Sequence, residues 1–233
     1  MGKRIQFFVG PIGSGKTEIS INSAILRHLS GEKVALLDFD VVKPYIRVRD
    51  VADEIRKTGL EVLTPEGPVA YADMPIVPAH IFHWIADTSK ALVFDVGGDK
   101  QGSTTIAQIV GRLEPEEFEF TLVINPYRPF MGSVKQIIRT ASEIAFAAHT
   151  RFTSIVANPH LKEQTTLDDF LSGLEIVKDA SKEMNLPILF TGISKEIESQ
   201  LDGQDIGLTK LPLHLFVLPP WEPKPRTNWI YKG

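Results

Sequence analysis

Gly10-Pro11-Ile12-Gly13-Ser14-Gly15-Lys16-Thr17 decides the fold of this 233-residue chain. The octet fits G-x-x-x-x-G-K-[ST] at every fixed position. An apolar run, Arg4–Val9, precedes it and reads as a buried strand. A helical pattern over Lys16–Ser30 follows it, with Ile21, Ile25 and Leu29 on one face and Gly31 closing it. Strand, glycine-rich turn and helix start are the context of a phosphate-binding loop, or P-loop. Glycines let successive backbone N–H groups curl around a phosphate, and the helix N-terminus adds positive potential. In such a loop Lys16 reaches the β- and γ-phosphates of a nucleotide, and the Thr17 hydroxyl ligates Mg²⁺. The expected nucleotide contacts are therefore Gly10, Pro11, Ile12, Gly13, Ser14, Gly15, Lys16, Thr17 and the adjoining Glu18.

Outward from the loop, short apolar runs alternate with amphipathic patterns. Strands are expected at Lys33–Asp38, Leu60–Thr64, Ala91–Val96, Phe120–Asn125, Phe152–Asn158, Pro187–Thr191 and Leu213–Leu218. Helices are expected at Val48–Lys57, Ala79–Thr88, Ser133–His149 and Thr165–Asn185. Continuous apolar strands followed by helices predict an α/β fold of three layers, a mostly parallel sheet of about seven strands with helices on both faces. With no internal repeat and no low-complexity linker, residues 1–218 read as one domain and 219–233 as a proline-rich C-terminal tail.

Composition excludes several classes. A net charge of −4 argues against a nucleic-acid backbone partner, which needs a basic face. Cysteine is absent, so the chain has no disulfide, no thiolate nucleophile and no cysteine-ligated zinc or iron–sulfur cluster. No stretch approaches the ~20 apolar residues of a membrane span, and Ile5–Val9 is too short for a signal-peptide core. The expectation is a cytoplasmic protein with no membrane or nucleic-acid partner.

Three acidic positions lie at strand ends, where a parallel sheet gathers its ligands. Asp95, in ALVFDVGGD, is the candidate second Mg²⁺ residue, and Gly97-Gly98 would bring a backbone N–H, that of Gly98, against the γ-phosphate. A turn-starting aspartate is the alternative for Asp95. Asp38 and Asp40, in LLDFD, are candidates with Lys16 for the catalytic set, orienting a water or taking a proton. Helix capping is the alternative for either of them.

Five pieces in order, GPIGSGKTE, LLDFDVVKPY, VFDVGGD, LVINPYRPF and SIVANPHL, resemble the P-loop NTPases of the MinD/ParA (CobQ/CobB-like) group, within the signal-recognition/MinD/BioD class. The resemblance runs over about residues 4–192. It implies ATP and Mg²⁺ as cofactors, Asp38 and Asp40 at a first switch, DVGG at a second, and Asn158 at the adenine edge. Asn158 before Pro159 also fits a simple turn. Asn125-Pro126 matches a family turn, and Arg128 after it faces either the nucleotide, a partner or solvent. Residues 158–161 read Asn-Pro-His-Leu, so the guanine signature N-K-x-D is missing and ATP is favoured over GTP. The second P-loop lysine of that group is also missing, with Pro11 in its place, which leaves the group's ATP-sandwiched homodimer possible but unsupported.

Two histidines, His80 and His83, read as helix-surface residues rather than metal ligands. Tyr71, Asp73 and Met74 sit in a proline-rich stretch, 64–78, that either covers the site or packs. Arg47 and Arg49 read as ordinary first-turn charges, with anion binding the alternative. Trp221, Trp229 and Tyr231 in the tail either dock on another chain or fold back. Three functions fit these features. One is an ATPase whose nucleotide state switches a protein interaction. The second is an ATP-dependent small-molecule kinase or ligase of the BioD type. The third is a regulatory nucleotide-binding module with little turnover.

Overall fold

A computed structural model describes residues 2–40, 48–64, 77, 79–98 and 100–217. Arg47, Tyr71, Asp73, Met74, the boundary at 218 and the tail with Trp221, Trp229 and Tyr231 lie outside the described residues. The strands are β1 (Ile5–Val9), β2 (Val34–Phe39), β3 (Glu61–Leu63), β4 (Ala91–Val96), β5 (Phe118–Ile124), β6 (Ser154–Ala157), β7 (Ile188–Ile193) and β8 (Lys210–Pro212). The helices are α1 (Lys16–Leu29), α2 (Ala52–Arg56), α3 (Ala79–Ala86), α4 (Lys100–Val110), α5 (Val134–Ala147), α6 (Leu167–Met184) and α7 (Lys195–Gln200). A 3₁₀ turn, Val48–Val51, leads into α2.

All eight strands pair in parallel, in the order β3-β2-β4-β1-β5-β6-β7-β8. Strand alternation sends Ile5, Phe7, Leu37, Phe94 and Phe120 to one face, where Ile106 and Ile109 of α4, Ile137 of α5 and Phe170 of α6 cover them. Phe8, Leu36, Val93 and Val123 point to the other face, under Ile19 and Ile25 of α1 and Ile55 of α2. Each such aromatic or aliphatic side chain, fully buried, contributes roughly 1.5–3 kcal/mol of transfer free energy. This two-sided burial is why the strands read as unbroken apolar runs.

The three-layer expectation holds, with eight strands in place of about seven. The strand expected at Leu213–Leu218 forms earlier, as the three-residue β8, too short to show a period; residues 213–217 continue as a strap outside the strands, its Leu213 N–H donating to the Ile193 carbonyl at 2.8 Å. Two helices lack a sequence signal. α4 carries Gly102 and the β-branched Thr104 and Thr105 in its first half, weak helix formers, and buries Ile106 and Ile109 in the core. α7 has six residues, Ser194 capping it by accepting from the Ile197 N–H. The Val48–Lys57 helix is split into a 3₁₀ turn and one short α-turn.

Candidate functional site

The P-loop joins β1 to α1. Gly15 caps α1 in the left-handed region, φ 84°, and no side chain caps the exposed N–H groups of the first turn. Those donors are left for an anion. Asn158, at the end of β6, donates from Nδ2 to the Ser14 carbonyl at 2.8 Å, fastening the loop to its neighbour strand. A Cβ on Gly15 would lie 2.2 Å from that nitrogen, so the contact and the glycine require each other.

Alternation along β2 and β4 places the carboxylates. Leu36 and Val93 point toward α1, so Asp38 and Asp95, two residues on, do as well. Asp38 and Asp95 are direct neighbours in the β2–β4 register. Lys16 reaches into the same space and pairs with Asp40 at 3.4 Å. The structure therefore brings Lys16, Asp38, Asp40 and Asp95 together beneath the start of α1.

Arg49 is not a free first-turn charge. Its Nε donates to Asp38 Oδ2 at 2.6 Å, and its Nη2 donates to the Asp40 carbonyl at 3.3 Å. Asp38 also accepts from the Asp40 N–H at 3.2 Å. Burial pushes the Asp38 carboxyl above its usual range, and the Arg49 guanidinium opposes this.

Asp95 differs from the other two. It is fully buried, and neither carboxylate oxygen has a hydrogen-bond partner. Burial raises its pKa to about 7; Lys16 pulls it down, Asp40 and Asp38 push it up, and the nearby Thr17 hydroxyl pulls weakly down. A fully buried carboxylate without a donor is expensive unless a cation completes it. With the Thr17 hydroxyl beside it, the donor set is all oxygen, which fits Mg²⁺. Among the described residues no group of three or more histidine and carboxylate side chains is arranged to hold a metal, so protein ligation here would come from Asp95 and the Thr17 hydroxyl. His80 and His83 are exposed on α3, His80 packed on Trp84 at 4.6 Å between centroids.

The Gly97-Gly98 turn meets the P-loop directly. A Cβ on Gly98 would stand 1.6 Å from the Gly10 carbonyl oxygen, and one on Gly97 would stand 2.8 Å from Asp40 Oδ1. Only glycine permits this approach. The turn after β4, the P-loop and Asp40 thus form one contiguous surface.

A cavity of about 310 Å³ opens on the far side of the loop. Gly15, Asn158, His160, Gly192, Ile193, Glu196 and the strap residues Leu213 and His214 line it. The Asn158 Oδ1 is buried at its edge without a partner. His160 is held neutral, its pKa lowered to about 4 by burial first and then by Arg128 and Lys162.

Sequence reading missed the strap. Asn22 of α1 bonds His214 in both directions, at 2.9 and 2.8 Å. Glu18 accepts from the Phe216 and Val217 N–H groups at 3.1 and 2.6 Å. Burial raises the Glu18 pKa to about 7 against those two bonds. Glu18, expected as a nucleotide contact, lines the cavity while its carboxylate holds the strap. These partners stand 192 to 199 residues apart, and no local signal marks them.

No family model matches the chain, and no curated protein does. Solved structures do. FtsY from Mycoplasma mycoides is 20% identical with a TM-score of 0.58, over 81% of this chain and 59% of that one. The cell division protein FtsY from Thermotoga maritima is 18% identical with a TM-score of 0.58, over 83% and 63%. The signal recognition particle 54 kDa protein from Aeropyrum pernix, solved in complex with GDP, is 19% identical with a TM-score of 0.54, over 82% and 41%. The fold is that of the P-loop NTPases. The neighbours belong to the signal-recognition side of the wider class named above. The chain spans less than two thirds of the length of each of them. Among the described residues, no helix is long and apolar enough to cross a membrane.

Proposed function

We propose that this chain binds a purine nucleoside triphosphate with Mg²⁺, hydrolyses it, and uses its nucleotide state to set an interaction with a protein partner. The observation that carries the reading is the fully buried, unpartnered Asp95 carboxylate beside Lys16 and an uncapped helix start. Thr17 and Asp95 would hold the Mg²⁺, which neutralises charge on the β- and γ-phosphates when bound. The P-loop N–H groups and Lys16 bind the phosphates. Lys16 exchanges Asp40 for a phosphate oxygen, a move of one flexible side chain. Asp40, released, can orient an attacking water, while Arg49 holds Asp38 in place. The Gly98 turn touches the P-loop, so a γ-phosphate between them would shift it and the following α4, which is the switching element.

The nucleotide we favour is ATP, because residues 158–161 lack the guanine-reading carboxylate. GTP is the second reading. Glu196 on the cavity wall could supply a carboxylate to guanine, and one structural neighbour carries GDP. A small-molecule kinase or ligase built on the same site is a third. The finer MinD/ParA likeness, a homodimer and a cytoplasmic location belong to this proposal as well.

Titration calorimetry with ATP, GTP, ADP and GDP in Mg²⁺ tests it, alongside phosphate release. Wild type should bind one purine triphosphate and Lys16→Ala none. Unchanged affinity in Lys16→Ala would remove the P-loop assignment. Phosphate release stimulated by a dialysed macromolecular extract supports the switch; stimulation by the small-molecule filtrate supports the kinase or ligase.

A further inference from the structure

We infer that Arg128 stands at the P-loop side of the mouth of the base site, outside the cavity's own walls, and presents its guanidinium face to a purine ring rather than to the phosphates. The inference rests on the nucleotide reading above and assigns a residue within it.

Arg128 Nε donates to the Gly13 carbonyl at 2.8 Å. Its Nε, Cδ and Cζ lie 3.0, 3.2 and 3.5 Å from where a Gly13 Cβ would stand, so the side chain lies across that glycine. A loop that cradles phosphate turns its N–H groups inward and its carbonyls outward. A guanidinium engaged by an outward carbonyl therefore sits on the outer flank of the loop. The flank leads along the loop to Gly15, whose missing Cβ would stand 3.3 Å from His160 Nε2. His160 lines the 310 Å³ cavity, and Arg128 is close enough to help keep its imidazole neutral. Arg128 thus lies on the loop flank next to His160, a cavity wall residue, without lining the cavity itself.

The cavity has the make-up of a base site. Phe170, Ile193, Ile197 and Leu213 supply apolar walls, and Asn158 Oδ1 is a buried unpartnered acceptor at its edge. The turn that presents Arg128 is well fastened. Asn125 Oδ1 accepts from the Tyr127 N–H at 3.1 Å, and the Asn125 carbonyl accepts from the Arg128 N–H at 3.2 Å. Asn125 Nδ2 donates to the His160 carbonyl at 2.9 Å, tying this turn to the cavity wall. The Tyr127 hydroxyl donates to the Asp169 carbonyl. Among the described residues, Nη1 and Nη2 of Arg128 have no partner. A planar, always-charged group held this way stacks on a π-face and leaves donors for ring nitrogens or the ribose.

The test compares full-length wild type, Arg128→Ala, Arg128→Lys and Lys16→Ala by calorimetry in Mg²⁺. The ligands are ATP, ADP, CTP and inorganic tripolyphosphate. Arg128→Ala should weaken ATP and ADP alike by about 3- to 30-fold and narrow the preference for ATP over CTP. Tripolyphosphate affinity should not change. Arg128→Lys should recover only part, because an ammonium keeps the charge without the plane. Melting curves show whether Arg128→Ala folds; if it does not, Arg128→Gln takes its place, keeping a donor for the Gly13 carbonyl. Tripolyphosphate weakened in step with ATP would overturn the inference by placing Arg128 on the phosphates. Unchanged purine affinity would overturn it outright. If wild type binds neither nucleotide nor tripolyphosphate, the nucleotide reading itself falls and this one with it. Lys16→Ala, losing tripolyphosphate and nucleotide together, separates the two failures.

Discussion

Asp95→Asn should make the unliganded protein more stable at pH 8 while removing the effect of Mg²⁺ on nucleotide binding. Burial raises Asp95 from 3.8 to about 7, with Lys16 opposing and Asp40 and Asp38 adding. A carboxylate whose folded pKa lies above its unfolded value contributes stability that is present below 3.8 and lost as pH rises through about 7. At roughly 1.36 kcal/mol per pH unit, the ionised group costs about 4 kcal/mol at pH 8. Asparagine removes the charge but leaves an unpartnered buried amide, at about 1–3 kcal/mol. The net gain is about 1–3 kcal/mol, or roughly 2–10 °C in Tm for a chain of this size. At pH 5 about 2 kcal/mol of the wild-type penalty remains, comparable to the cost of the buried amide, so the two proteins should melt together. The assay is thermal and urea denaturation in EDTA at both pH values, followed by calorimetry with ATP with and without Mg²⁺. The reasoning is refuted if the variant is the less stable at pH 8, if its advantage does not depend on pH, or if Mg²⁺ still strengthens ATP binding to it.

Gly98→Ala should destabilise the protein by about 1–3 kcal/mol and erase the preference for triphosphate over diphosphate. Its Cβ would otherwise overlap the Gly10 carbonyl oxygen, so the turn or the P-loop must move. Denaturation and paired ATP and ADP titrations measure both effects. His160, its pKa lowered to about 4, favours the folded state when neutral, so stability should fall as pH drops from 6.5 toward 4. The loss is about 3 kcal/mol, and His160→Phe should flatten that slope in urea melts. Glu18→Gln keeps one acceptor where the carboxylate holds two N–H groups. Hydrogen exchange at Phe216 and Val217 should then quicken by roughly tenfold or more, with core amides unchanged.

Much of the site was legible in the sequence because it is local. The P-loop octet carries its own spacing, and LLDFD and FDVGG mark strand ends by apolar runs stopping at carboxylates. Arg49 was misread because its role depends on Asp38, eleven residues away across segment 41–47, and charge pattern alone shows a solvated helix start. α4 was missed because Gly102, Thr104 and Thr105 interrupt its first half with weak helix formers, while burial of Ile106 and Ile109 packs it on the sheet.

The sequence by itself determined that this chain makes a parallel sheet with a phosphate loop at its first strand. Period, apolar run length and glycine spacing are local quantities that a linear chain displays. The tertiary structure alone decided that Asp38 and Asp95 stand side by side, that Arg128 crosses Gly13, that Asn158 fastens Ser14, and that Glu18 and Asn22 hold a strap from the far end of the chain. Those contacts follow from strand order. β1 lies between β4 and β5, and β2 lies beside β4, an arrangement that periodicity does not encode. It is chosen by which faces bury best against one another once the chain has folded.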